Sequence, residues 1–344
     1  MKWALPAAAA ALLLAGCAQS STVSVTQGQS APILDAVAAG VPPLKWNATD
    51  GVAFWEQFVN AYPKRDAYLP NNALARDHLA QALLSAGFDV KLRQYPAGAM
   101  GVNAPAPVGP LSINVVEATK KGTGNSTDAI LVGGHYDTQT GTIYGAYDNG
   151  SGAAAVVQTC TALSKVQLEH TLVCLLFDGE ELGTVGSEAW ANDDAAHPGM
   201  GATWFYLGFD MVGLNWPGYT NWKLYTWIDS TYGPDLFPFV NGTLHKVLGY
   251  PADGAEAFPF NDRNSDEATF KAHGVPTLRF AGGRTAGAYD QYHMPQDTVD
   301  HVEQLAGGRD KFAAGFGAIV KTAYTFVCEL DQTSLKDLKA EAGT

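Results

Sequence analysis

The stretch AILVGGHYDTQTGTIYGAYDNGSG, residues 129–152, decides how this chain is read. Its first four residues, Ala129-Ile130-Leu131-Val132, form the short apolar run of a buried strand. The run releases His135, Asp137 and Asp148 into a Gly-rich loop, and a helical pattern starts only afterwards, over Ala153–Leu163. Three metal-binding or proton-transferring groups leaving the end of one buried strand suggest a site. The sequence must then supply partners for them.

It does so at three later strand ends. Leu172–Phe177 is a second apolar run and ends in Asp178-Gly179-Glu180-Glu181. Thr203–Phe209 is a third and ends in Asp210. Val275–Phe280 leads through a Gly-rich loop to Tyr292-His293. Further strands are predicted at Val90–Tyr95, Leu111–Ala118 and Leu224–Ile228. Helical spacing marks Gly51–Tyr62, Ala73–Ala86, Ser187–Ala191, Asp235–Leu248, Ser265–His273 and one long C-terminal helix, Val302–Leu330. Strands alternating with helices imply an α/β fold, a three-layer α/β/α sandwich around a mixed, mostly parallel sheet. In such sheets the ligand crevice lies beyond the carboxyl ends of the strands, where His135, Glu180, Asp210 and His293 all fall.

Five residues are candidate metal ligands: His135, Asp148, Glu181, Asp210 and His293. Imidazole nitrogen and carboxylate oxygen suit zinc. Two imidazoles and three carboxylates exceed what one tetrahedral zinc with an open position needs, and suffice for two ions if one carboxylate bridges. Asp137, two residues past His135, is placed to accept the second imidazole N–H and fix the tautomer. With Glu181 as a ligand, Glu180 is left as a general base.

Gly134-His135-Tyr136-Asp137, Gly145-Ala146-Tyr147-Asp148-Asn149-Gly150-Ser151-Gly152, Asp178-Gly179-Glu180-Glu181-Leu182-Gly183 and Tyr292-His293-Met294-Pro295-Gln296-Asp297-Thr298, with Asp210 between them, together resemble the M28 family of co-catalytic zinc peptidases. The resemblance covers roughly Ala73 to Leu330. It implies the zinc-peptidase (phosphorylase/hydrolase-like) fold and two zinc ions. His135 and Asp210 would complete one zinc site, Glu181 and His293 the other, with Asp148 bridging. It implies a cis peptide after Asp148, and Tyr292 as a substrate-binding hydroxyl beside the reacting carbonyl. Catalysis would use Glu180 as general base on a zinc-bridging water, with Asp137 supporting His135, to release N-terminal residues from peptides with a free N-terminus. Two alternatives stand beside this: a single-zinc glutaminyl cyclase, and a non-catalytic peptide-binding lipoprotein of the same fold. One position departs from the pattern. Glu267 follows Ser265-Asp266 where the family commonly has His, while Gly274-Val275-Pro276 is kept.

The 344 residues and 47% apolar content allow one large domain, assigned here to 44–344. A net charge of −13 disfavours nucleic acid and anionic lipid as partners. Residues 1–16 resemble a lipoprotein signal peptide, ending in Leu14-Ala15-Gly16-Cys17, and residues 17–43 a Ser-, Gln-, Ala- and Pro-rich tether. The implied location is the bacterial envelope, lipid-anchored through Cys17, the outer membrane being favoured over the inner because Ala18 and Gln19 carry no aspartate retention signal. Of the remaining cysteines, Cys174 is read as a buried free thiol and Cys160–Cys328 as a possible pair. His301, His78, His273, His170, His197 and His245 are read as ordinary surface or core histidines. Phe258, Phe260, Trp216 and Tyr206 are read as core or pocket aromatics.

Overall fold

A computed structural model of the chain describes residues 41–96, 112–125, 127–201, 204–214, 225–229, 242–243, 247, 256–260, 265–281 and 289–333. The signal-peptide and Cys17 readings, Trp216 and nearly all of the expected Asp235–Leu248 helix fall outside these residues.

Among the described residues, eight strands form one sheet. They are β1 (Asp89–Pro96), β2 (Ser112–Lys120), β3 (Ala129–His135), β4 (Thr171–Phe177), β5 (Phe205–Asp210), β6 (Tyr225–Asp229), β7 (Glu256–Phe260) and β8 (Thr277–Ala281). Their spatial order is β1-β2-β4-β3-β5-β8-β6-β7. The central pairs β4/β3, β3/β5 and β5/β8 are parallel, whereas β1/β2, β2/β4 and β6/β8 are antiparallel. The sheet is thus mixed with a parallel centre, as the alternation of elements predicts. β7 had no counterpart in the periodicity.

The helices among the described residues are α1 (Ala48–Ala61), α2 (Pro70–Ser85), α3 (Gly152–Leu163), α4 (Val185–Ala191), α5 (Glu267–Ala272), α6 (Val299–Ala306) and α7 (Arg309–Asp331). Strand alternation divides the core between the two faces of the sheet. Ile130 and Val132 of β3 pack with α1, α2, α3 and α7, while Leu131 packs with Trp190 and Phe270 on the other side. The chain leaves β3 through α3 to reach β4 on one side, then passes α4 to reach β5 on the other. The carboxyl end of β3 is therefore a switch point, the place in such sheets where a crevice opens.

Two expectations need correction. The C-terminal stretch is two helices, because Gly307 (φ 88°) and Gly308 (φ 118°) take left-handed backbone that a continuing helix cannot hold. The disulfide joins Cys160 to Cys174, and Cys328 is the buried free thiol. Cys174 lies on the same face of β4 as Leu172 and Leu176, the face that α3 covers, so it meets Cys160. The apolar run hid this because a half-cystine is as buried as its neighbours.

Candidate active site

All eight residues singled out from the sequence meet at one end of the sheet. His135 closes β3 and is 1% exposed. Its Nε2 lies 3.6 Å from Asp148 Oδ1, 3.7 Å from Asp210 Oδ1 and 3.9 Å from Glu180 Oε2. Its Nδ1 faces Asp137 Oδ1 at 3.4 Å. His293 arrives on a loop at φ 57°, and its Nε2 lies 3.2 Å from Asp148 Oδ2 and 3.3 Å from Glu181 Oε2. The two oxygens of Asp148 thus face two different histidines. The Tyr292 ring stacks on His293 with centroids 3.7 Å apart.

Short-range backbone features aim these groups. The peptide bond Asp148–Asn149 is cis, as the resemblance implies. The Asn149 side chain donates to the Phe209 carbonyl at 2.9 Å and accepts from Met211 N at 3.1 Å, so the Asp148 loop is tied to both sides of Asp210. This close approach needs glycine at two places. A Cβ on Gly134 would fall 2.6 Å from the Phe209 carbonyl oxygen, and one on Gly152 would fall 2.1 Å from Asn149 Oδ1. Asp137 accepts from the backbone N–H groups of Glu180 and Glu181, both at 3.2 Å, and so links the His135 loop to the Glu pair.

Three supporting residues had no role in the sequence reading. Asp297 accepts from Tyr147 N at 2.9 Å, Asp148 N at 3.0 Å and the Tyr289 hydroxyl at 2.6 Å. It lies in the quoted Tyr292–Thr298 motif, which was the available signal. Burial pushes its carboxyl up to about 6 against those hydrogen bonds. Arg65, fully buried, donates to the carbonyls of Tyr136 (2.7 Å), Tyr144 (2.6 Å), Gly145 (2.9 Å) and Tyr62 (3.1 Å), and shapes the loop between His135 and Asp148. Nothing local in the sequence marks it. Arg279 on β8 lies 2.9 Å from Glu267 Oε1 and 3.8 Å from Asp210 Oδ2. Glu267, the departure from the family pattern, therefore balances an arginine facing the site.

The electrostatics are those of crowded acids. Burial, then Asp148, pushes Glu181 up to about 10. Burial, with Asp266, Asp210 and Asp137 adding repulsion, pushes Glu180 well above the carboxylate range, while His135 acts the other way. Asp210 is largely buried too, yet His135 and Arg279 hold it below its usual value. Such a cluster calls for positive charge. Glu181 Oε1 and Asp210 Oδ1 are buried with no hydrogen-bond partner among the described residues, which is costly unless a cation takes them. His135, Asp148 and Asp210 converge closely enough to share one ion, as do Asp148, Glu181 and His293, and a third grouping joins His135, Glu180 and Glu181. Nitrogen and carboxylate donors fit zinc.

Three of the other histidines fit ordinary roles. His301 pairs with exposed Asp290 at 2.9 Å, and His78 sits among Phe54, Phe58 and Tyr62. His170 pairs with Asp331, a partner too distant in sequence to be foreseen. Tyr206 is core, stacked on Phe270 at 4.1 Å.

Comparison with known proteins points one way. The model of the family described as peptidase family M28 matches residues 114–310. Leupeptin-inactivating enzyme 1 of Streptomyces exfoliatus is 28% identical over 258 residues, covering 70% of this chain and 53% of that protein. The Probable lipoprotein aminopeptidase LpqL of Mycobacterium tuberculosis is 29% identical over 219 residues, covering 57% of this chain and 42% of its own length. The chain thus spans about half the length of the curated relatives it matches. Among solved structures, BSAP, a zinc aminopeptidase from Bacillus subtilis, aligns with TM-score 0.64 at 15% identity over 83% of this chain and 96% of its own. The glutaminyl cyclase of Porphyromonas gingivalis aligns with TM-score 0.64 at 18% identity, over 84% of this chain and 100% of that one. These likenesses share the fold and do not separate hydrolysis from cyclisation.

Proposed function

From the premise that the chain belongs to peptidase family M28, we propose that it is a di-zinc aminopeptidase. One observation carries the reading: the two oxygens of Asp148 face His135 and His293 separately, at 3.6 and 3.2 Å. A carboxylate so placed suits a bridge between two cations. His135 and Asp210 would hold one zinc, and Glu181 and His293 the other, with Asp148 common to both. Zinc supplies Lewis acidity there, polarising a carbonyl and lowering the pKa of water.

The chain's own groups divide the remaining work. The two groupings that share Asp148 already use five ligands, which leaves Glu180 for proton transfer. Glu180 takes a proton from the attacking water and returns it to the departing amine. Asp137 is a positioning residue: its carboxylate faces His135 Nδ1 and accepts from the N–H groups of Glu180 and Glu181, tying the His135 loop to the base and its neighbour. Tyr292, half-buried beside His293, offers its hydroxyl to the oxygen of the scissile carbonyl as charge develops there. The acidic cluster favours a substrate with a free α-amine, hence peptides with unblocked N-termini.

The similarity to a lipoprotein aminopeptidase supports an envelope location with the anchor on Cys17. No helix among the described residues is long and apolar enough to cross a membrane.

The test is a Glu180→Gln variant of the zinc-loaded protein, assayed on leucine p-nitroanilide and a panel of aminoacyl amides. Its zinc content should match the parent's while kcat falls about 10²–10⁴-fold. Parallel assay of peptides beginning with Gln separates the cyclase reading. Cyclisation without release of N-terminal residues by the parent would replace the aminopeptidase assignment.

A further inference from the structure

At the other end of the sheet lies a cavity of about 220 Å³. Ala129 and Thr171, the first residues of β3 and β4, contribute to its floor. His135 closes β3 at the opposite end, so at about 3.3 Å per residue the cavity lies about 20 Å from the candidate active site. One face of the sheet supplies that floor. Lys91 stands opposite Glu117, and Thr119 opposite Val173. Trp190 of α4, with Ala196, His197 and Trp204, forms the walls.

Two ring nitrogens in those walls lack partners. His197 Nε2 and Trp204 Nε1 are buried and make no hydrogen bond among the described residues. His197 is 7% exposed and Trp204 8%. Glu117 Oε2 approaches His197 Nε2 only to 3.7 Å, beyond hydrogen-bond range. That oxygen already accepts from Arg93 Nε and Trp190 Nε1, both at 2.9 Å, and Oε1 accepts from Arg93 Nη2 at 3.0 Å. The His197 ring is held flat against Trp190, centroids 3.6 Å apart, and cannot readily turn elsewhere. Leaving two such buried groups bare is unfavourable unless a partner meets them.

The lining states what that would be. Trp204 can only donate, and Lys91 adds a half-exposed ammonium at the rim, 4.0 Å from Glu117 Oε1. Arg93 and Glu117 neutralise each other, so Lys91 leaves the cavity one positive charge in excess. Burial pushes the His197 imidazole down to about 4, so it adds no charge at neutral pH. The remaining lining combines Trp190, Val173 and two alanines with three threonines, and the volume is below that of pockets for drug-sized ligands.

We propose that this cavity binds a small carboxylate with a compact apolar body, the carboxylate meeting Trp204 Nε1, His197 Nε2 and Lys91, the body lying against Trp190 and Val173. The site is independent of the catalytic reading. Free apolar amino acids and simple branched fatty acids share this chemistry and differ in the α-ammonium.

The test is titration of the zinc-loaded full chain with 4-methylpentanoate, following the indole ¹⁵N–¹H signal of Trp204, assigned by its loss in Trp204→Phe. The signal should shift saturably with 4-methylpentanoate and stay still with 4-methylpentanamide or 3-methylbutylamine. Leucine in place of 4-methylpentanoate shows whether the α-ammonium is tolerated: saturable binding identifies free amino acids as a source, and its failure identifies the fatty acid class. Lys91→Met changes an exposed residue and should weaken 4-methylpentanoate binding about tenfold, leaving hydrolysis unchanged. No shift at any soluble concentration, an equal shift with the amide, or affinity unaltered in Lys91→Met would overturn the proposal.

Discussion

His135 and His293 approach the same carboxylate from two kinds of structure. His135 ends a central parallel strand, and its side chain is 2% exposed. His293 rides a loop in left-handed backbone, and its side chain is 28% exposed. The first half of the site is built into the sheet, with Asp210 ending the neighbouring strand and Asn149 tying the Asp148 loop to that strand's end. The second half is laid over it by the Tyr292–Thr298 segment, anchored through Asp297. Rigid elements fix a ligand more closely than loops do. The difference teaches that the strand side sets the geometry, while the loop side is where solvent reaches it.

The largest expected effect separates chemistry from architecture. Glu180→Gln should lower kcat by the 10²–10⁴-fold given above while both halves keep their metal. Next, the halves should part company on metal removal. His293→Ala should retain one equivalent of zinc by plasma mass spectrometry, whereas His135→Ala should fall below one. Equal loss in the two variants would erase the distinction. Asp297→Asn tests how the loop half is anchored. It replaces one of the two oxygens that accept from Tyr147 N and Asp148 N, and should cost roughly 10–100-fold in zinc affinity or activity, read by competition with a chelator. Arg65→Met would leave carbonyls of the connecting loop without their donor. Unfolding in urea should show a loss of about 2–4 kcal/mol, since each buried group left unpaired costs about 1–3 kcal/mol.

The smallest effect lies away from both halves and serves as a control. The Asp331 carboxylate accepts from His170 and holds the imidazole above its ordinary value, burial opposing. A raised folded pKa means the contribution is full below the unfolded value of about 6.5 and is lost as pH rises through the folded one. Stability should therefore decline across that interval by less than about 1 kcal/mol, and His170→Gln should remove this part of the slope without changing zinc content.

Much of the strand side was legible in the sequence, because a buried strand is a short apolar run and its end is where polarity resumes. His135, Glu180 and Asp210 each stand at such an end. His293 was legible only through its motif, since no period leads to a loop residue. Arg65 and Asp297 were not assigned because the site-loop groups they hold lie 71 to 150 residues away, and only folding brings those together. The Cys160–Cys174 pair was missed for a related reason. Alternation along β4 shows that Cys174 faces one side of the sheet, yet not which helix covers that side. Glu267 could be flagged as a departure, but its partner Arg279 appears only when α5 and β8 are brought together.

The central claim is that Asp148 links two cation positions. Anomalous diffraction at the zinc edge from crystals of the zinc-loaded protein tests it most directly. Two peaks are predicted, one among His135, Asp148 and Asp210 and one among Asp148, Glu181 and His293. A single peak, or zinc held by Glu180 with Asp148 left without metal, would contradict it.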